Sequence, residues 1–101
     1  MRGSVVWYSR RVNYDILNKK IVMSPTVFRH KKYRFFFFSR EESRIHVHVE
    51  CPEGEAKFWL EPVVALAEYE SLAKADLHEI QRIVEGKKDE IVEAWRKHFG
   101  Y

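Results

Sequence analysis

Residues 44–60, RIHVHVECPEGEAKFWL, decide how the rest of the chain is read. Along Arg44–Cys51 the odd positions are Ile45, Val47, Val49 and Cys51, and the even ones are Arg44, His46, His48 and Glu50. Successive side chains of a strand point to opposite faces, so this alternation predicts an aliphatic core face and a polar face carrying both histidines. Pro52-Glu53-Gly54 follows with turn chemistry: proline presets one backbone dihedral and glycine is free to take positive φ. Alternation resumes over Glu55–Leu60, with Ala56, Phe58 and Leu60 set against Glu55, Lys57 and Trp59. The stretch is read as a β-hairpin with a polar turn at its tip.

Toward the N-terminus, Thr26–His30 and Tyr33–Ser39 read as two further strands joined by a tight turn at Lys31-Lys32. The second contains Phe35–Phe38, four aromatics in succession, so both of its faces are expected to be covered, by a central place in the sheet or by a partner. Left exposed, such a run would invite aggregation. Arg40–Ser43 is a charged loop leading into the hairpin.

Toward the C-terminus, Glu61-Pro62 ends the hairpin, because proline cannot donate to a strand ladder. Val63–Glu70 is ambiguous: Pro62 suits the first position of a helix, whereas Val63-Val64 favours an extended chain. From about Lys74 the period becomes helical. Leu77, Ile80, Val84, Ile91, Trp95 and Phe99 fall on one stripe when each residue advances about 100°. Gly86 lands opposite the stripe, which predicts one long helix with a tolerated glycine, costing about 1 kcal/mol relative to alanine. Gly100 is placed as its stop. The expected fold class is α+β, a small antiparallel sheet of about four strands packed by one long C-terminal helix.

A chain of 101 residues with 46% apolar and 15% aromatic content supports a single small core. It has no apolar run of membrane-spanning length and no signal-peptide pattern. The single cysteine, Cys51, excludes an internal disulfide framework and fits a reducing, cytoplasmic compartment. The formal net charge of +3 is unevenly spread. Residues 1–22 hold Arg2, Arg10, Arg11, Lys19 and Lys20 against Asp15 alone, leaving thirteen basic and fourteen acidic residues in the remainder. That first segment lacks sustained periodicity, and Met23-Ser24-Pro25 looks like a natural start. Residues 1–22 are therefore read as a poorly ordered basic extension from an upstream start codon, with a docking arm as the alternative, and 23–101 as the α+β domain.

The histidines are the one source of plausible chemistry. His46 and His48 lie two apart on one strand, with Cβ atoms expected about 6.5–7 Å apart on the same face. Such a pair can chelate a divalent metal if Glu50, His30 or His78 completes the set. It can also act as a general acid and base on a phosphodiester, helped by Lys57 across the hairpin and Arg44 on the same face. The plainer reading makes both histidines packed polar groups beside Trp59, or contacts to a partner, and this reading carries most weight because no third ligand stands at diagnostic spacing. No P-loop, GxGxxG or GxSxG motif is present, and no cofactor is expected. Cys51 shares the aliphatic face and reads as a small hydrophobe. Arg29, Lys31, Lys32 and Arg34 cluster around the first turn. With Phe36, Phe38, Arg44 and Trp59 they make the candidate surface for a partner or for nucleic acid.

These residues resemble the small bacterial family catalogued as domain of unknown function 4160. The resemblance starts at Met23-Ser24-Pro25 and rests on Tyr33–Ser39, His46-Val47-His48-Val49, Gly54–Leu60 with Pro62-Val63, and Glu93-Ala94-Trp95 before Phe99-Gly100. The chain departs from the family pattern at Lys32, where a turn glycine is usual, at Arg44-Ile45 in place of a Pro-Pro pair, and at Ala73 in place of a helix-capping serine. The resemblance implies no defined activity. Family members are often encoded beside another small protein, an arrangement similar to toxin–antitoxin pairs. The resulting expectation is an interaction module with a small protein partner encoded nearby. A toxin-like ribonuclease or metal-binding hydrolase using the His-x-His strand, and a nucleic-acid-binding regulator, are the alternatives. Homo-oligomerisation stays open, and no membrane association is expected.

Overall fold

The alternation of residues 44–60 is realised as the centre of an antiparallel meander. The computed structural model describes residues 25–38 and 42–101, so the reading of residues 1–22 lies outside the described residues. Strands β1 (Thr26–His30), β2 (Tyr33–Phe36), β3 (His46–Cys51), β4 (Gly54–Trp59) and β5 (Ala65–Glu70) lie side by side in chain order. Helices α1 (Lys74–Gly86) and α2 (Lys88–Phe99) follow. The β3–β4 register sets Val47 opposite Phe58, Val49 opposite Ala56, His46 opposite Trp59 and His48 opposite Lys57. Opposed residues of an antiparallel pair share a face, so this register sends the aliphatic set to one side and the polar set to the other. Phe35, Val47, Val49, Phe58 and Leu60 meet Ile80 and Val84 of α1 and Ile91, Val92 and Trp95 of α2 in one buried cluster.

Two expectations need correction. Among the described residues the sheet has five strands, because Ala65–Glu70 pairs with β4 through Lys57↔Glu68 and Ala56↔Tyr69. Its Ala-Leu-Ala-Glu run is compatible with a helix, and the free edge of β4 overrides that local preference. Gly54 makes the pairing possible, since a methyl group there would collide with the Glu70 carbonyl oxygen. A register shift between Lys57 and Phe58 places both Leu66, opposite Phe58, and Tyr69, opposite Ala56, on the helix side.

The single long helix is in fact two, separated by Lys87 at φ −114°, ψ 16°. Hydrogen bonding nevertheless bridges the break. The Lys87 N–H is shared between the carbonyls of Ile83 (3.0 Å) and Val84 (3.2 Å), and the Ile91 N–H donates to the Lys87 carbonyl (2.9 Å). The apolar stripe therefore stays in phase from Leu77 to Phe99. A side-chain stripe fixes which face is buried, and it leaves open the torsions of one residue beside a glycine.

The aromatic run is also less exposed than a flat ribbon of phenylalanines. Phe35 and Phe37 enter the helix-side core, while Phe36 is 6% exposed on the opposite face and lies outside that core cluster. The strand expected over Tyr33–Ser39 spans Tyr33–Phe36, with Ser39 outside the described residues, and the Phe37 N–H still bonds the Pro25 carbonyl (3.2 Å). In the first hairpin turn the left-handed position is Lys31 (φ 56°), one residue before Lys32. Helix α1 starts at Ala73 without a side-chain cap, and α2 stops at Gly100 with φ 85°, as the sequence predicts.

Candidate interaction surface

The sheet face away from the helices gathers most of the candidate residues. Phe36 stacks on His48 at 5.5 Å between ring centroids, and Phe38 meets His48 edge-on at 4.6 Å. The Arg34 guanidinium lies 4.4 Å from the Phe36 ring, and Arg44 and Lys57 lie 4.1 and 4.5 Å from the Trp59 ring. Cations over aromatic faces are held by the ring quadrupole. Lys57 also reaches Glu42 (3.3 Å) and Glu68 (3.9 Å), and Arg34 pairs with Glu50 (2.8 Å). The ring faces and cations of this side thus already engage one another. Arg34, Phe38, His46 and His48 have further partners beyond these.

His46 and His48 are neighbours, with ring centroids 5.0 Å apart and planes at 84°. Their environments differ sharply. His46 is 0% exposed, its Nδ1 lies 2.7 Å from the Arg44 carbonyl, and its ring contacts Trp59 at 5.6 Å and Trp95 of α2 at 5.2 Å. At that distance the Nδ1–H donates to the carbonyl oxygen. A buried imidazole of this kind joins the sheet to α2 through its contacts with Trp59 and Trp95. Among the described residues no group of three His, Cys, Asp or Glu side chains stands ready to hold a metal. Neither Glu50, His30 nor His78 gathers with the pair. The geometry places His46 in the buried layer and His48 on the half-buried face.

The basic residues of the first turn sit elsewhere and are balanced within the chain. Lys31 bonds Glu79 at 2.7 Å, and Lys32 pairs with Glu53 (3.2 Å) and Asp76 (3.7 Å). Beneath them the single proton of the buried Tyr33 hydroxyl is shared between the carboxylates of Glu79 (3.0 Å) and Asp76 (3.3 Å). Burial, then the Glu79 hydrogen bond, push the Tyr33 phenol far above its usual value. Lys31 first, and then Tyr33, hold the Glu79 carboxyl below the ordinary range, and Lys32 does the same for Glu53. Only Arg29 of this cluster is exposed without such a pairing among the described residues. Cys51 packs against the core, and burial raises its thiol above the usual value.

What sequence reading missed is β5. Of the large apolar side chains that stand exposed, Val63 (64%), Leu66 (37%) and Tyr69 (54%) belong to this strand or its approach. The signal was present as an apolar pattern in residues 63–69, but it could not be placed on an edge while the segment's type was open. A separate groove of about 380 Å³, lined by Glu61, Lys88, Asp89, Val92, Glu93 and Arg96, contains none of the predicted site residues.

Together the described residues define a small α+β domain: a five-stranded antiparallel meander with two helices on one face, neither of them long and apolar enough to cross a membrane. A family model for a domain of unknown function, DUF4160, matches residues 33–96. The chain belongs to that family, as the resemblance of its hairpin and helices implied. No curated protein and no solved structure matches it.

Proposed function

We propose that the protein is a small cytoplasmic interaction module, one component of a toxin–antitoxin-like pair, and that it binds its partner through the β5 edge. One observation carries this reading: exposed Leu66 and Tyr69 stand on an edge strand that pairs on one side only among the described residues, and exposed Val63 lies on its approach. Proteins normally blunt such an edge, and apolar side chains left on it suit a protein contact. The aromatic face supports the reading less, because Phe36 is nearly sealed and Trp59 already holds two cations. Cytoplasmic action accords with Cys51 being a free thiol.

The test is co-expression with the protein encoded beside it, comparing the wild type with a Leu66→Asp/Tyr69→Asp variant. Co-purification that the variant loses while keeping its circular dichroism supports the reading. Undiminished capture by the variant removes β5 as the surface, and absence of any complex removes the paired-module reading itself.

A further inference from the structure

The chemistry of the two strand faces at β5 says what kind of chain would add to it. We infer that β5 is the docking edge for an extended partner segment that alternates basic and apolar residues and adds a sixth strand to the sheet. The inference rests on the reading of β5 as a binding edge.

Among the described residues strand β5 ends the strand order, so half of its backbone N–H and C=O groups face outward there. Its side chains are sorted by face. Leu66 and Tyr69 lie on the helix side, opposite Phe58 and Ala56, because of the register shift beside Ala67. Glu68 and Glu70 lie on the other side, opposite Lys57 and Glu55. An added strand points its own side chains alternately to the same two faces. Its apolar residues would then lie against Leu66 and Tyr69, and its intervening residues against Glu68 and Glu70.

Charge selects the second set. Glu70 stands directly opposite Glu55 in the register, and Glu68 has a side chain 71% exposed that meets Lys57 only at 3.9 Å. A strand bringing cations to this side gains cross-strand attraction, whereas an acidic one meets like charge. The same argument selects against pairing two copies of this chain through their β5 edges. Two β5 strands paired about a two-fold axis would bring Glu68 and Glu70 of both copies onto one face. The opposite edge of the sheet differs in kind, since Arg29, Lys31, Lys32 and Arg34 stand near β1. Backbone pairing would supply affinity, and the alternating pattern would supply selectivity and register.

The experiment uses the full chain and a labelled peptide alternating Lys and Val, six residues long to match β5, followed by fluorescence anisotropy and amide hydrogen exchange. Expected results are saturable binding that weakens with salt, slowed exchange within Ala65–Glu70, and affinity at least about tenfold lower for Glu68→Lys/Glu70→Lys. The same peptide N-methylated on alternate backbone nitrogens is expected not to bind, which tests strand addition without altering the protein. Equal binding of a Glu-Val peptide, affinity unmoved by the charge reversal, or unprotected β5 amides would each overturn the inference. So would dimerisation of the chain through β5. A neighbouring protein that binds through Leu66 and Tyr69 while the Lys-Val peptide does not would sink strand addition by a basic segment and leave the module reading standing.

Discussion

The two faces of the central hairpin are built from alternate residues of the same strands, yet they solve different problems. On the helix side Val47, Val49 and Phe58 are sealed by α1 and α2, and contact is almost wholly apolar. On the other side His48, Lys57 and Trp59 form a mosaic in which rings hold cations and cations hold carboxylates. The first face derives its stability from removing area from water, a term that is additive and indifferent to partners. The second depends on pairings that remain partly hydrated, so each is worth less and each can be exchanged. His46 is the point where the faces meet, since its ring touches Trp59 on one side and Trp95 on the other.

Adjacent substitutions offer the sharpest way to break this contrast. Phe58→Ala should cost about 3–5 kcal/mol, as expected for a large-to-small change in a closed core, measured by urea unfolding. Trp59→Ala, one residue on, should cost less than half of that although tryptophan is the larger side chain. Equal losses would mean that the mosaic face is as tightly packed as the core.

The histidine pair gives the second contrast. His46→Ala should destabilise by about 2–3 kcal/mol, because it opens a cavity beside Trp95. His48→Ala, half-buried on the mosaic, should cost about 1 kcal/mol or less. If His48→Ala proves the more damaging, His46 does not hold the layers together.

Charge pairing at the first turn predicts a pH dependence with a definite sign. Lys31 and Lys32 hold the Glu79 and Glu53 carboxyls below their reference value of 4.5. A depressed folded value means the unfolded chain takes up protons first, so this stability is present above pH 4.5 and is lost as pH falls through the folded values. Lys31→Ala/Lys32→Ala should flatten the acid limb of a stability–pH profile, and an unchanged limb would show these pairs to be idle. At the alkaline end the raised Tyr33 value has the opposite sense, with stability falling as pH rises above 10. Tyr33→Phe should remove part of that fall.

The smallest expected effect is a gain. Ala73 starts α1 with extended dihedrals and no side-chain cap. Ala73→Ser should add about 1 kcal/mol by supplying an acceptor for an orphan N–H of the first turn, seen as a higher urea midpoint at unchanged slope.

These contrasts also explain how much could be read from the chain alone. Period two over residues 44–60 specified both faces of the hairpin correctly, because one face must be dry and a slip of one residue would invert the pattern. Gly100 was legible for a similarly local reason, since a helix stop depends on one dihedral, whereas Ala73 was placed by the family resemblance. Strand β5 was not legible, because its identity rests on Gly54 admitting the Glu70 carbonyl, a contact between residues sixteen apart. The break at Lys87 escaped for the opposite reason, being too local to disturb the apolar stripe. At the candidate site the sequence brought His48, Lys57 and Trp59 together correctly. It could not foresee that Trp95 would close over His46, because the alternation alone gave both histidines the same surroundings.

Trp95 also makes the domain its own spectroscopic reporter. Its indole is fully buried, and among the described residues its Nε1 has no hydrogen-bond partner. An indole so shielded emits toward the blue, and water entering the layer between sheet and helices shifts that emission to the red. Trp59, lying against Arg44 and Lys57, senses the mosaic face instead. Single-tryptophan variants would therefore show which face of the sheet loosens first, without any added label.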